Sequence, residues 1–161
     1  MNLSAAVITV SDSAVAGTRE DQSGPAVSLR LEALGYRVAT VEIVPDERPL
    51  IAAAICRLAD AGGVQAIFTT GGTGIAARDV TPEATRDAID REIPGIGELM
   101  RAKGRERVKT APLSRALAGS RGTVLVVNLP GSPRGAVESL DAMVELVPHI
   151  ADLLAGKTEH S

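Results

Sequence analysis

A glycine-rich stretch, Thr69–Gly74, is the part of this sequence best suited to bind a phosphate. Glycines at the end of a strand let backbone N–H groups approach an anion closely. The run before it, Val64–Phe68, is too short for a helix, and its branched and aromatic residues predict a buried parallel strand. The predicted order is strand, glycine loop and helix, and we interpret the loop as an anion-binding cradle.

Two better-known phosphate loops fit this stretch poorly. Gly72-x-Gly74-x-x-Ala77 satisfies the dinucleotide-binding fingerprint with alanine in the third glycine position. A dinucleotide site begins its helix within the glycines, which would leave Pro82 inside that helix at a cost of about 3 kcal/mol. The ribose-binding acid expected about 20 residues further on would fall near Glu92, in a turn. A P-loop is excluded because no Gly-Lys-Ser/Thr follows the glycines.

Asp79 follows the glycine loop and is a candidate for chemistry. The pair Thr81-Pro82 has the residue types of a helix N-cap and a first helical residue. Asp79 then lies two residues before the cap, has no capping role, and faces the same loop as the glycines. We therefore interpret Asp79 as a functional carboxylate.

Polar segments also follow three other predicted strands. Ser11-Asp12-Ser13 follows Ala5–Val10, Pro45-Asp46-Glu47 follows Arg37–Val44, and Pro130-Gly131-Ser132 follows Val124–Leu129. Strands separated by helices predict a mostly parallel sheet with helices on both faces. Ligands bind beyond the carboxyl ends of such strands, so these segments and the glycine loop are expected to form one site.

Some of these residues have purely structural alternatives. Asp46 could cap the helix whose first turn holds Pro49, and capping and chemistry stand as equal alternatives. Ser132-Pro133 has the residue types of an N-cap and a first helical residue. However, Asp46 and Asp79 beside a glycine cradle also indicate Mg²⁺, which binds one or two carboxylates together with substrate phosphates. The chemistry alone indicates a phosphate-handling site.

Helical spacing of apolar residues predicts the elements between these segments. Helices are predicted over Ser23–Leu34, around the buried Cys56, from Thr81 to Pro94-Gly95, over Ile96–Ala102, and after Pro133 with a kink at Pro148. The stretch between the last two helices is the least regular. We predict one α/β domain over residues 1–161, with three layers, a mostly parallel doubly wound sheet and a polar tail.

The composition restricts the class of protein. Of 161 residues, 45% are hydrophobic and 23% are charged, as in soluble globular domains. A net charge of −3 and an aromatic content of one Phe and one Tyr disfavour nucleic acid as a partner. No apolar run approaches the ~20 residues of a membrane span, and the N-terminus lacks a basic start, so we expect a cytoplasmic protein without membrane contact.

Other reactive or charged residues have ordinary explanations. A single cysteine, Cys56, agrees with a reducing compartment, and His149 and His160 are too scattered for a zinc site. A basic run could gather an anionic ligand, but we favour a solvated face. Its members are Arg101, Lys103, Arg105, Arg107 and Lys109.

Taken in order, the motifs resemble the molybdopterin adenylyltransferases of molybdenum-cofactor biosynthesis, which are related to domains of gephyrin-like proteins. The resemblance runs from about residue 5 to residue 155. It is carried by Val10–Ser13, Asp21-x-Ser23-Gly24, Ile43–Glu47, Thr69–Gly74, Arg78–Ala84, Pro94-Gly95, Leu113–Arg115 and Asn128–Pro133. Each motif alone is modest, whereas eight in register are highly specific.

The resemblance implies a mainly parallel sheet, a homotrimer, and Mg²⁺-dependent transfer of AMP from ATP to the terminal phosphate of molybdopterin. By motif, Asp46 and Asp79 match the acidic pair required for the Mg²⁺–ATP chemistry. The phosphate loop would comprise Thr70, Gly71, Gly72, Thr73 and Gly74. The substrate pockets would be lined by Ser11, Asp12, Ser13, Ser114, Pro130, Gly131 and Ser132. Transient contact with other molybdenum-cofactor enzymes is also expected.

One departure and one alternative function accompany this resemblance. Family members commonly carry proline at the position of Lys109, whereas the proline here is Pro112, so the backbone before Ser114 is less defined than the aspartates. A molybdopterin-binding or carrier protein of the same fold, with little or no turnover, is the alternative to the enzyme. Retention of both Asp46 and Asp79 favours the enzyme.

Overall fold

The computed structural model describes residues 2–158 of the chain. Its strands are β1 (Ser4–Val10), β2 (Arg37–Val44), β3 (Ala66–Thr70), β4 (Arg91–Glu92), β5 (Ala118–Arg121) and β6 (Val124–Leu129). Its α-helices are α1 (Asp12–Val15), α2 (Ser23–Ala33), α3 (Arg48–Asp60), α4 (Thr81–Ala88), α5 (Pro94–Arg105), α6 (Pro133–Met143) and α7 (Val147–Leu154). His160, assigned above to the polar tail, lies outside the described residues.

All these strands belong to one sheet with the order β2-β1-β3-β6-β5-β4. The first four strands in this order run parallel, so their carboxyl ends lie along one edge. β5 and β4 extend the sheet as antiparallel strands. The predicted α/β class and mostly parallel sheet are confirmed.

Helices cover both faces of the sheet because alternate residues of each buried strand point to opposite sides. On one side, Val7 and Phe68 pack with Leu140 in a core that includes α2, α5, α6 and α7. On the other, Ile8 packs with Ile55 in a core formed by α3 and α4. Burial of each such side chain is worth about 1.5–3 kcal/mol. The sheet with helices on both faces is the predicted three-layer arrangement.

The two antiparallel strands were not predicted from the sequence. β4 has only two residues, and β5 reads Ala-Gly-Ser-Arg, without the branched or aromatic residues that favour strands. Both strands lie where a continuous helix and an irregular stretch were expected. The helix predicted from Thr81 to Pro94-Gly95 ends at Ala88, and the next helix begins at Pro94.

Two further details of the helices differ from the sequence prediction. Leu34, the last residue of the predicted helix, lies just after α2 at its C-cap and is 38% exposed, because the chain turns there through Gly35. The kink expected at Pro148 instead forms as a 3₁₀ turn over Val144–Leu146, and Pro148 lies in the first turn of α7. Proline suits that position because its missing N–H has no helical partner there.

The basic run only partly forms a solvated face. Lys103 and Arg105 are exposed, as expected. Arg101 is half-buried, and its guanidinium donates hydrogen bonds to the carbonyl oxygens of Ser114 (3.3 Å) and Ala116 (2.7 Å). Arg101 therefore holds the segment that precedes β5.

Cys56 lies half-buried on α3 against the second core, which supports its predicted packing role. Within residues 2–158, no helix has the length and apolar character needed to cross a membrane.

A buried polar network joins β6 to α4 beneath the carboxyl edge of the sheet. Asn128 is fully buried, and its Nδ2 donates to Thr69 Oγ1 (3.0 Å) and Thr85 Oγ1 (2.9 Å). Its Oδ1 accepts a hydrogen bond from the Leu117 N–H (3.3 Å). Thr85 Oγ1 in turn donates to the carbonyl oxygen of Thr81 (2.8 Å), the first residue of α4.

We expect Asn128→Leu to lower the free energy of unfolding by about 1–3 kcal/mol, because it leaves buried polar partners unsatisfied. Urea unfolding followed by circular dichroism measures the loss. The matched control is Asn2→Leu, the same change at an exposed asparagine. Equal unfolding free energies for the two variants would contradict a stabilising role for the Asn128 network.

Candidate active site at the carboxyl edge of the sheet

The chain turns sharply after β3 through two glycines in the left-handed backbone region. Gly71 has φ of 93° and Gly72 has φ of 68°. A Cβ atom on Gly71 would lie 2.5 Å from the carbonyl oxygen of Val10, too close for a real contact. A Cβ atom on Gly72 would collide with the Thr81 hydroxyl and lie 3.2 Å from Asp46 Oδ1. Glycine is therefore required at both positions, and it brings the loop backbone against Asp46.

Thr81 holds the glycine loop instead of capping α4. The N-cap is Val80, without a side-chain capping bond, and Thr81 and Pro82 occupy the first two helical positions. Thr81 Oγ1 donates to the carbonyl oxygen of Gly71 (2.9 Å), and the Thr81 N–H donates to that of Gly72 (3.1 Å). The predicted N-cap role of Thr81 is wrong, because its buried hydroxyl pairs with a loop carbonyl.

Asp46 and Asp12 are joined by two reciprocal hydrogen bonds. The Asp12 N–H donates to Asp46 Oδ2 (2.8 Å), and the Asp46 N–H donates to Asp12 Oδ1 (2.9 Å). Parallel pairing of β1 with β2 places Val10 opposite Val44, which brings the two following segments side by side. The N-cap of α3 is Glu47, without a side-chain capping bond, so the capping alternative for Asp46 is wrong.

Arg78, in the loop before α4, pairs with Asp12. Its Nε donates to Asp12 Oδ2 at 2.6 Å, and its Nη2 donates to Asp12 Oδ1 at 3.0 Å. The Arg78 side chain is 61% exposed, so the pair adds little to stability. The hydrogen bonds from Arg78 and from the Asp46 amide lower the pKa of the Asp12 carboxyl.

Asp46 is the carboxylate whose charge is least favourable. Partial burial raises the pKa of Asp46 above its ordinary value, and the charges of Asp12 and Asp79 raise it further. The hydrogen bond from the Asp12 amide and the charge of Arg78 oppose this rise. A bound cation would lower the free-energy cost of ionising Asp46 in the folded chain.

Asp79 faces the glycine loop at Gly74, as Asp46 does at Gly72. A Cβ atom on Gly74 would lie 2.8 Å from Asp79 Oδ2. The same oxygen accepts a hydrogen bond from the Ala76 N–H (3.0 Å), which folds the side chain back over the loop. The position expected for Asp79 beside the glycines agrees with the structure.

Two clefts open beside the glycine loop. The first, of about 470 Å³, has polar and apolar wall area in nearly equal parts and includes Ser11, Asp12, Ser13, Asp46, Gly71, Gly72, Gly131 and Ser132. The second, of about 400 Å³, has larger apolar walls and includes Thr73, Gly74, Ile75, Met100, Val108, Leu113, Ser114, Pro130 and Ser132. Ser132 lines both clefts, so the two share a wall.

Thr70 and Asp79 line neither cleft. Thr70 is fully buried at the end of β3, and its Oγ1 lies 2.8 Å from the hydroxyl of Ser23. It supports the loop from below. The other pocket residues predicted from the sequence lie on one cleft or on both.

Two of the pocket serines also cap helices. Ser11 Oγ accepts a hydrogen bond from the Ala14 N–H (3.1 Å) at the start of α1. Ser132 Oγ accepts one from the Gly135 N–H (3.0 Å) at the start of α6, which confirms the predicted cap. Both serines are thereby held in place at the mouth of a cleft.

The glycine loop presents N–H groups that no other part of residues 2–158 engages. Neither carbonyl nor side-chain oxygens in that range accept a hydrogen bond from the N–H of Gly72, Thr73 or Gly74. Unpaired N–H groups at the start of a helical segment or in a glycine turn are suited to an anion such as a phosphate.

The carboxylates also fit a hard divalent cation. Asp46 Oδ2 and Asp79 Oδ2 accept amide hydrogen bonds, which leaves Oδ1 of each side chain available as a ligand. Within residues 2–158, no group of three or more acidic, histidine or cysteine side chains could hold a metal on its own. Mg²⁺ usually binds through one or two carboxylates with substrate phosphates and water, and this donor set is compatible with that mode.

Comparison with known proteins decides the family. Residues 6–150 match the sequence model described as "Probable molybdopterin binding domain". This chain belongs to that family. It is 42% identical over 152 residues to the molybdopterin adenylyltransferase of Helicobacter pylori strain J99, an alignment that covers 93% of this chain and 86% of the relative.

Two further relatives support the assignment of this molybdopterin-binding domain. The molybdopterin adenylyltransferase of Escherichia coli K12 is 39% identical over 139 residues, covering 85% of this chain and 71% of the relative. The crystal structure of the molybdopterin biosynthesis enzyme MoaB from Thermus thermophilus superposes with a TM-score of 0.89 at 46% identity, covering 96% of this chain and 98% of that chain. The family and the fold expected from the motifs are confirmed.

Two arginines of the site had no role in the sequence analysis. Arg78 and Arg115 lie within quoted motifs, directly before Asp79 and after Ser114, and that adjacency was the available signal. Their partners are distant in sequence, because Arg78 pairs with Asp12 and Arg115 with Glu83. Sequence patterns do not identify such partners.

We expect Asp46→Asn to stabilise the fold at pH 7. The raised pKa means that ionised Asp46 is less favourable in the folded than in the unfolded chain, a cost that appears as the pH rises through the folded-state pKa. Asparagine removes this charge, and its Oδ1 still accepts the hydrogen bond from Asp12. Urea midpoints measured from pH 7 to pH 4 should show a gain that disappears at the acid end.

Asp46→Ala is the control, since it removes both the charge and the hydrogen-bond acceptor. It should be less stable than Asp46→Asn at every pH. An Asn variant that is less stable than the wild type at pH 7 would show that the Asp46 charge stabilises the fold.

Proposed function

We propose that this protein is a molybdopterin adenylyltransferase of molybdenum-cofactor biosynthesis, which transfers AMP from ATP to the terminal phosphate of molybdopterin. The observation that carries the proposal is a glycine loop between two clefts that share a wall, with Asp46 in the first cleft and Asp79 against the loop at Gly74. A reaction between two substrates requires neighbouring pockets, and the relatives named above carry this activity in their names.

The first cleft is proposed to hold ATP. It combines the available N–H of Gly72 with the carboxylate of Asp46 and a set of serine hydroxyls. The second cleft is proposed to hold molybdopterin, because apolar walls such as Ile75 and Leu113 suit the faces of a planar ring system. Ser114 and the N–H groups of the loop would then bind its polar edge and its phosphate.

The reaction exchanges one P–O bond for another. An oxygen of the terminal phosphate of molybdopterin attacks the α-phosphorus of ATP, and the bond from that phosphorus to the bridging oxygen of the β-phosphate breaks. Adenylyl-molybdopterin and pyrophosphate are the products. A covalent enzyme intermediate is not required, because positioning and charge stabilisation supply most of the catalysis in phosphoryl-type transfer.

Asp46 and Asp79 are the proposed ligands of Mg²⁺, which when bound would offset the charge that develops on the departing pyrophosphate. Asp12 and its amide hold Asp46 at the glycine loop, and the loop N–H groups orient the phosphates. Ser132, which lines both clefts, would lie between the nucleotide and the pterin. The negative charges of Asp12 and Asp79, which help to raise the pKa of Asp46, would also favour a bound cation.

Incubation of the protein with ATP, Mg²⁺ and molybdopterin tests the proposal, with adenylyl-molybdopterin and pyrophosphate as the measured products. A protein that binds molybdopterin but releases no pyrophosphate would be the carrier considered from the sequence. The available carboxylate oxygens of Asp46 and Asp79 favour the enzyme, because a carrier has no need of them.

Asp79→Asn should fold normally and lose most AMP transfer. The amide keeps the size of the side chain and can still accept the hydrogen bond from Ala76, whereas it removes the charge proposed to bind Mg²⁺. Pyrophosphate release measured across a range of Mg²⁺ concentrations is the readout. Near-parental turnover in a folded variant would remove Asp79 from the mechanism.

The resemblance to the family also leads us to propose a homotrimer. Sedimentation velocity over a range of micromolar concentrations should give a trimer mass, three times that of the 16.6 kDa chain. A monomer throughout that range would contradict this. Cytoplasmic location and transient contact with other molybdenum-cofactor enzymes stay predictions of the sequence.

A further inference from the structure

Arg115 makes an unusually complete set of hydrogen bonds behind the glycine loop. Its backbone N–H donates to the carbonyl oxygen of Thr73 (2.7 Å), and its Nε donates to that of Gly74 (2.8 Å). Its Nη2 donates to the carbonyl oxygen of Asp79 (2.6 Å). Its Nη1 binds both carboxylate oxygens of Glu83 on α4, at 3.0 and 2.7 Å.

These bonds decide which way the loop amides point. The structure contains no cis peptide bond within the described residues. In a trans peptide the C=O of one residue and the N–H of the next point in opposite directions from the same plane. The Arg115 main-chain N–H binds the carbonyl oxygen of Thr73 and its guanidinium binds that of Gly74, so the N–H groups of Gly74 and Ile75 must face away from Arg115. Of these two groups, only the N–H of Ile75 depends on the Arg115 side chain.

The first half of the loop is oriented by a different residue. Thr81 binds the carbonyl oxygens of Gly71 and Gly72, so it directs the N–H groups of Gly72 and Thr73 by the same rule. Thr81 and Arg115 therefore bind different parts of the loop, and these parts line different clefts. Gly71 and Gly72 line the first cleft, whereas Thr73, Gly74 and Ile75 line the second.

We infer that the Arg115 guanidinium is a positioning group that directs the N–H group of Ile75, next to that of Gly74, toward a phosphomonoester bound in the second cleft. The inference rests on the proposed function, in which that group is the terminal phosphate of molybdopterin. The same guanidinium fixes the backbone of Asp79, and Ser114 of the second cleft is the residue before it. The Arg115 side chain thereby holds the loop at Gly74 and the backbone of Asp79 in a fixed relative position.

Arg115→Met should lower kcat/KM for molybdopterin by about 10²-fold, because small displacements of positioning groups cost about that much in rate. KM for ATP should stay near the parental value, since Thr81 holds the part of the loop that lines the first cleft. Arg115→Lys should restore little, because an ammonium group lacks the planar fork that reaches several acceptors at once.

The matched control is Arg86→Met, which removes an exposed arginine that pairs with Glu92 near the same face. This variant should keep the parental kcat/KM for molybdopterin and the parental KM for ATP. Hydrogen exchange provides a readout without substrates: in Arg115→Met, the hydrogen-bonded amides of Ala76 and Asp79, in the segment that the guanidinium holds, should exchange faster than in Arg86→Met.

The outcomes separate the inference from the function. If the wild-type protein transfers no AMP, the proposed function fails, and the exchange measurement still tests whether Arg115 holds the loop. The inference is overturned if Arg115→Met keeps its kcat/KM for molybdopterin, or if KM for ATP rises as much as KM for molybdopterin. It is also overturned if activity falls only in proportion to the unfolded fraction. If the Met variant does not fold, Arg115→Lys is judged by the same criteria.

Discussion

The turn at Gly71 and Gly72 is the constraint on which the rest of the site depends. No side chain fits at either position, because Val10 contacts the first glycine and Thr81 and Asp46 contact the second. The close approach lets the loop carbonyls bond to groups behind the loop. Since the peptide planes are rigid, the N–H groups then face the other way. One backbone conformation thus leaves loop N–H groups without acceptors among residues 2–158, fixes the start of α4 and places the Asp46 carboxylate against the loop.

The ion pairs around this turn are partly exposed and contribute little to stability. Asp12 has a cationic partner in Arg78, and Glu83 has one in Arg115. Asp46 is instead half-buried beside two other carboxylates, so its ionised form is costly in the free protein. The free energy gained by burying the hydrophobic cores on both faces of the sheet offsets this cost. A cation with its phosphates would recover it on binding.

The order of strands explains why two clefts meet here. Four parallel strands bring their carboxyl ends to one edge, which supplies the serines, Asp46, the glycine loop and the turn at Gly131. The antiparallel strand β5 then carries the segment before it, with Ser114 and Arg115, to the far side of the loop. Asn128 connects these parts underneath through Thr85 and Leu117.

The sequence by itself determined the α/β class, the parallel strands, the segments at their ends and the cap at Ser132, because these depend on local periodicity and residue type. Its motifs also indicated the family. It did not determine the partners of the polar groups. Asp46 had the residue type of a cap and bonds to Asp12, Thr81 bonds to the loop carbonyls, and Arg115 holds a loop about 40 residues away in the chain. A polar group bonds to whichever partner the folded chain brings within reach, and only the tertiary structure decides that.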